Sequence, residues 1–461
     1  VQTLQQSDKI KEYIKTVCEQ IRWKKAHGPV SEEIEWHIHD QKNAFTNCGL
    51  DDETAIEKAI AEMGDPVIIG TEFDHTYRPK IEWSIVALTC IMILAGIFIR
   101  IILFYNVVES LEMSIFSDIV SIVIGFGCMT LSYFIDFTII GKHPKKIFFG
   151  LTILLTVLIF TNDQTYFSFK LLLFPTAFAG IIYEMRNKSY IGIIQAGLIF
   201  LIAADTVISI SIWDITSILI YSCSCLILIT MAVLSGWFNV KKSSALLLIY
   251  GLASLISIIL IAIAIMSRPY IIGRIQAVFN PSIDPYSSGW KVNVVRSIIS
   301  GAKLFGQGDL GEYEYAAEKL LPSIHTDYVL TYLIHKFGWI AFIIIMSFII
   351  TFAVRLFMLC RKQKSVLAKL VSVSVFITYT MQIIIYTNYN LGFQLFSPLT
   401  LPLVSYGGIS AIINMFLIGI MLSVFNLGDL ICDNNTAADM KYSKLFEFTN
   451  GKIIINLNPR A

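Results

Sequence analysis

Residues 339–359 read WIAFIIIMSFIITFAVRLFML, an apolar run whose one formal charge is Arg355. A helix rises about 1.5 Å per residue, so about 20 such residues cross the ~30 Å hydrocarbon layer of a bilayer. The run therefore predicts a transmembrane helix. The same reading applied outward finds nine more: Ser84–Tyr105, Ile119–Ile140, Ile147–Thr161, Phe167–Tyr183, Tyr190–Ile208, Ile215–Trp237, Ala245–Met266, Val366–Tyr386 and Ile409–Phe425. The expected fold is all-α: a polytopic membrane domain of about ten helices. Pro175 and Gly180 share one short segment and predict a kink there.

Composition agrees. Of 461 residues, 55% are hydrophobic and 15% charged, against roughly 25% charged in soluble domains. This excludes a disordered chain, a disulfide scaffold and an ordinary water-soluble enzyme. The net charge of +1 provides no field for nucleic acid. Charge is concentrated at the front, with 25 charged side chains in residues 1–80 out of 69. The division is thus a headpiece, 1–80, a membrane domain, 81–428, and a tail, 429–461. Short loops on one side carry ten basic residues between Lys142 and Lys364, and the alternate short loops carry Lys170 alone. The positive-inside rule then places both termini in the cytoplasm. The first 80 residues hold no apolar signal-type stretch, which also predicts a cytoplasmic headpiece. Eight scattered cysteines lack zinc or redox spacing and read as packing residues.

The headpiece reads as a small helical bundle. Ile10, Ile14, Val17, Ile21 and Trp23 recur at mostly helical spacing, with a stop expected at His27-Gly28-Pro29. Ser31 is the expected cap of a second helix, and Asp51 or Asp52 of a third that closes at Gly64-Asp65-Pro66. The pattern resembles the permease-prefix module that precedes several bacterial membrane-protein families, which implies docking or regulation.

One external loop, 267–338, is far longer than an ordinary connection. Val294, Val295, Ile298, Ile299 and Ala302 form an apolar stripe within it. Either a helix lying on the outer leaflet or a packed lid would produce that stripe. Asp136, Asp205 and Asp214 fall near predicted helix ends, where solvation offsets the cost of charge.

Two segments carry a family resemblance. Residues 269–311 read PYIIGRIQAVFNPSIDPYSSGWKVNVVRSIISGAKLFGQGDLG, followed by LPSIHTDYVLTYLIHKFGWIAF at 321–342, and residues 390–410 read NLGFQLFSPLTLPLVSYGGIS. In order and position these resemble the SEDS family, the RodA, FtsW and SpoVE polymerases of bacterial elongation, division and sporulation. The resemblance implies a multi-pass protein of the bacterial cytoplasmic membrane that polymerises glycan strands from lipid II, with a class B penicillin-binding transpeptidase as partner and membrane lipid around it. It makes Asp327 the catalytic aspartate. Arg274 falls at the family's arginine, and Ser405, Tyr406, Gly407 and Gly408 at its turn above the last helix.

The chemistry asks for such groups. Glycosyl transfer needs a base for the acceptor hydroxyl and cations for the departing pyrophosphate. Asp327 is the candidate base, and Arg274, Arg296 and Lys303 are the candidate phosphate contacts in its loop. His325 is placed either to orient the aspartate or to help bind a divalent ion, the one cofactor in prospect. A helix N-cap is the plain structural alternative for Asp327. The chain departs from the family pattern at His335-Lys336, where the family has two glutamates, and at Phe174–Gly180. A precursor flippase and a catalytically silent regulator of a transpeptidase therefore stay open as alternatives.

Overall fold

The computed structural model describes residues 2–78, 82–106, 115–159, 171–210, 215–267, 270–287, 289–310, 317–321, 323–397, 399–405, 407–428, 446–449 and 452–455. The chain divides into two units, Val1–Pro79 with Asp429–Ala461, and Lys80–Gly428.

In the first unit the headpiece is four helices: α1 (Gln2–Gln20), α2 (His27–Asn47), α3 (Asp52–Met63) and α4 (Pro66–Tyr77). Val30, Ile34 and Ile38 recur every four residues on α2 and are buried against Val17, Ala55, Ile56 and Ala59. Burying each larger side chain contributes about 1.5–3 kcal/mol. The Asp51 carboxylate accepts from Thr54 N at 3.3 Å, capping α3 as the sequence predicts. Two expectations are corrected. The second helix starts at His27, before Ser31, because Pro29 lies in its first turn, where a missing N–H costs nothing. Gly64-Asp65-Pro66 closes α3 but also opens α4, since the Asp65 carboxylate accepts from Val67 N at 2.8 Å and Pro66 fits the first helical position. The segment after residue 428 is more than a tail: Phe446–Thr449 and Lys452–Ile455 pair as an antiparallel hairpin, β1 and β2.

The second unit's regular structure is all helical among its described residues. Its helices are α5 (Trp83–Asn106), α6 (Ile115–Phe134), α7 (Thr138–Lys142), α8 (Pro144–Ile159), α9 (Phe174–Met185), α10 (Ser189–Ile210), α11 (Ile215–Leu234), α12 (Lys242–Ser267), α13 (Tyr270–Phe279), α14 (Trp290–Ser300), α15 (Ala317–Leu320), α16 (Val329–Phe337), α17 (Trp339–Lys362), α18 (Val366–Asn390) and α19 (Gly408–Leu427). Among the described residues six helices are long and apolar enough to cross a membrane, on α5, α11, α12, α17, α18 and α19, with shorter apolar helices on α6, α9 and α10. Each of the ten expected segments overlaps one of these or α8, and residues 160, 161 and 167–170 of two of them lie outside the described residues. The segment expected over Ile119–Ile140 breaks after Phe134, where the Asp136 carboxylate accepts from Thr138 N at 3.0 Å and starts α7. Asp214, and the side chain of Asp205, lie outside the described residues.

Helices α18 and α19 are mostly buried, whereas α12 and α17 leave most of their surface bare, as lipid-facing helices do. Helices α6 and α19 pack closely through small residues. Ser132 Oγ donates to Phe416 O at 3.0 Å, and Ser423 Oγ donates to Ile135 O at 2.9 Å. Without a hydrophobic drive between helices in lipid, such close approach and hydrogen bonding hold the pair. No kink forms at Pro175, which occupies the first turn of α9. Gly180 instead lets α7 approach: a Cβ there would lie 2.5 Å from Ile140 O. The stripe on α14 packs inward. Val292, Val294, Val295 and Ile298 are buried, and the last three join the core with α16 and α18, so the packed alternative holds over the leaflet-surface helix.

Candidate active site

Asp327 ends a tight turn that leads into α16. The amides of Thr326 and Asp327 both donate to Ser323 O, at 3.0 and 2.8 Å. The residue that caps α16 is Tyr328, and it provides no side-chain cap. The capping alternative for Asp327 therefore fails. Its carboxyl is half-buried. Burial pushes it above the ordinary carboxylate range, and a hydrogen bond from Thr326 and the charge of Lys291 offset part of that rise.

Helix α18 holds this turn in place. Tyr386 Oη donates to Thr326 O at 2.9 Å and accepts from Val329 N at 3.3 Å. Asn390 Nδ2 donates to Asp327 O at 2.9 Å. The Tyr328 and Tyr389 hydroxyls meet at 2.7 Å. Below them on the same helix face, Gln382 and Asn414 exchange amide hydrogen bonds of 3.3 and 3.4 Å, and Asn414 Nδ2 also donates to Ser410 Oγ at 3.2 Å.

The turn from Leu401 to Gly407 lies beside this face. Ser405 Oγ accepts from Leu401 N at 2.8 Å, and Ser405 is near enough to Tyr386 for the two hydroxyls to interact. Arg100, buried in α5, donates from Nη2 to Ser405 O at 3.0 Å. Leu403 is held at φ 66°, a left-handed conformation that a branched side chain adopts only when its surroundings enforce it. Gly96 of α5 admits the turn, since a Cβ there would lie 2.6 Å from Val404 O.

The structure brings Asp327, Ser405 and Tyr386 together and treats the other candidates differently. Arg296 is engaged elsewhere: its guanidinium donates to Val278 O at 2.5 Å and Gly392 O at 3.3 Å. Lys303 is exposed, and its carbonyl accepts from Trp339 N at 3.0 Å. His325 is half-buried, and burial lowers its pKa. Arg274 lies on α13, but its side chain, like all of Tyr406, is outside the described residues. Gly407 abuts Thr400. A Cβ at Gly408 would lie 2.5 Å from Ser121 Oγ, so that glycine lets α6 approach. Among the described residues no group of three or more His, Cys, Asp or Glu side chains is placed to hold a metal ion.

Lys291, Tyr386, Asn390 and Arg100 are absent from the site that the sequence reading assembled. Two signals were legible. Gln382, Tyr386 and Asn390 recur every four residues in a membrane helix, and Arg100 is a lone cation inside an apolar span.

A family model described as a cell cycle protein, of the FtsW, RodA and SpoVE type, matches residues 80–427. A protein of Nitrosomonas europaea named "Probable peptidoglycan glycosyltransferase FtsW" is 30% identical over 203 residues, 43% of this chain and 50% of the relative. The protein of the same name from Trichlorobacter lovleyi is 27% identical over 162 residues, 35% and 42% of the two chains. The chain spans about half the length of the curated relatives it matches. Among solved structures, a chain of a peptidoglycan synthase complex superposes with a TM-score of 0.59 at 18% identity, covering 76% of this chain and 98% of that one. The Thermus thermophilus rod shape determining protein RodA, as a mutant, gives 0.50 at 14% identity, with the same coverage. At those identities the likeness is one of fold.

Proposed function

The chain belongs to the FtsW, RodA and SpoVE family of cell cycle proteins, and from that membership we propose that it is a peptidoglycan glycosyltransferase that polymerises glycan strands from lipid II at the outer face of the cytoplasmic membrane. The observation that carries the reading is the placing of the half-buried Asp327 carboxyl on a turn held by α18, where burial raises its pKa above the ordinary value.

In the proposed reaction Asp327 takes the proton of the acceptor sugar's hydroxyl. The freed oxygen bonds to the anomeric carbon of the donor, and the bond from that carbon to the pyrophosphate oxygen breaks. The lipid pyrophosphate leaves with both electrons of that bond, and Asp327 returns its proton to water. Lys291, the cation whose charge Asp327 feels, and Lys303 and Arg274 of the same loop are the groups proposed to receive phosphate charge. Arg296 is given a bracing part instead, because its Nη2 donates to two backbone carbonyls. Ser405 and the amides of the 401–408 turn are proposed to border the lipid carrier's phosphate. A class B penicillin-binding transpeptidase is the proposed partner. The positive-inside rule supports cytoplasmic termini.

The test is purification with a cognate transpeptidase and assay for glycan strands from lipid II. Strands that vanish with Asp327→Ala support the reading. A wild-type complex that folds, binds lipid II and makes no strands overturns it in favour of a silent regulator.

A further inference from the structure

The first amides of a helix lack partners within it and must be served by a nearby side chain, by water or by another element. In α16 those amides are served from another helix. Val329 N donates to Tyr386 Oη at 3.3 Å, and Thr331 N donates to Asn390 Oδ1 at 3.1 Å. Asn390 is fully buried at the end of α18. Its Nδ2 donates to Asp327 O at 2.9 Å and Tyr386 O at 3.0 Å, and Thr331 Oγ1 donates to Asn390 O at 2.8 Å, with Oδ1 3.1 Å away. Both donors and the acceptor of the amide are used. Turning it over would set N–H groups against donors and the oxygen against two carbonyls, so a single orientation is stable.

We infer that Asn390 and Tyr386 are positioning residues that cap α16 in place of Asp327, fixing its peptide and keeping its carboxyl free for proton transfer. The inference rests on the reading of Asp327 as the base and deepens it. Among the described residues, Lys291 of α14, Tyr386 of α18 and Tyr328 of the aspartate's own segment interact electrostatically with the carboxyl, and His325 lies two residues before it in the chain. None of them supplies what the amide of Asn390 supplies, a neutral cap for Thr331 N. With that cap removed, Thr331 N loses its partner, and the Asp327 carboxyl, four residues before it in the chain, is the group proposed to take its place. Once hydrogen-bonded to the helix amide it becomes a weaker base pointed away from substrate.

The experiment uses the full chain with its transpeptidase and compares wild type, Asn390→Ala and Tyr386→Phe. Two quantities are read: strand synthesis against pH, and carbodiimide labelling of Asp327 against pH by mass spectrometry, normalised to the exposed Glu53. In Asn390→Ala, kcat should fall about tenfold or more with KM for lipid II little changed. The acid limb of the rate profile and the labelling midpoint of Asp327 should move down together by about one pH unit. An unmoved labelling midpoint in a folded Asn390→Ala overturns the inference. If that variant does not fold, Tyr386→Phe, which keeps the ring and loses both hydrogen bonds, should move the midpoint in the same direction, and an unmoved midpoint there is equally fatal. The labelling needs no turnover. A wild type that makes no strands therefore defeats the proposed activity and leaves the capping arrangement to be judged by its own readout.

Discussion

The guanidinium of Arg100 donates to the carbonyl of Ser405 at 3.0 Å, joining a buried position of α5 to a turn 305 residues later in the chain. A charged donor to a buried carbonyl is among the stronger hydrogen bonds, and its loss leaves the acceptor without water to replace it. Arg100→Leu should therefore destabilise the membrane unit by about 1–3 kcal/mol. It should also open the 401–407 turn to protease. Thermal unfolding and limited proteolysis in detergent measure both, and a variant with wild-type melting and cleavage would show that the turn holds itself.

Gly96 tests the same contact from the other side. Its missing Cβ makes room for the Val404 carbonyl, and backbone cannot retreat as a flexible side chain can. Gly96→Ala should cost about 1–3 kcal/mol by overpacking. Gly127→Ala on α6, where nothing lies within 4 Å of the added carbon, should be neutral or stabilising by up to about 1 kcal/mol. Equal melting temperatures for the two variants would contradict the packing.

Asp327 gives a pH dependence of known sign. Burial raises its folded-state pKa, so the folded protein holds the proton more tightly than the unfolded chain. The stability this group contributes is complete below the ordinary carboxylate range and is lost as pH rises through the raised value. Asp327→Asn stays neutral and escapes that loss. It should melt no lower than wild type at about pH 8, and the difference should shrink toward about pH 4. Strand synthesis should fall by about 10²–10⁴ in the same variant. Melting curves at the two pH values and one turnover assay decide the matter; an Asn variant that melts well below wild type at the higher pH would mean the charge is stabilising.

The headpiece has a core of its own, in Val17, Val30, Ile34, Ile38, Ala55, Ile56 and Ala59. Ile34→Ala should cost that core about 2–5 kcal/mol. It should leave the unfolding of residues 80–428 and the strand synthesis of the complex unchanged. Hydrogen exchange resolved by segment, together with the polymerisation assay, would show whether the effect is confined. Lost activity with an intact membrane unit would give the headpiece a direct part in turnover.

Much of this protein was settled along the chain. Twenty-residue apolar runs located the membrane helices, because the thickness of a bilayer is a length that sequence can be measured against. The sequence narrowed the cap of α3 to Asp51 or Asp52, because capping is decided within four residues, and the first of them is used. The motif around Asp327 and the Ser405 turn indicated the family, as the match over residues 80–427 bears out. What the sequence left open depended on contacts between distant segments. His27-Gly28-Pro29 can end one helix or begin the next, and in the fold it begins α2. Arg296 reads as a phosphate ligand until the carbonyls of Val278 and Gly392 are found on it. Along the chain Asp327 can be a cap or a base. In the fold it is not the cap, because Tyr386 and Asn390, some 60 residues further on, accept from the first amides of α16. A buried hydrogen bond must be made by whichever group arrives, and which group arrives is a property of the fold.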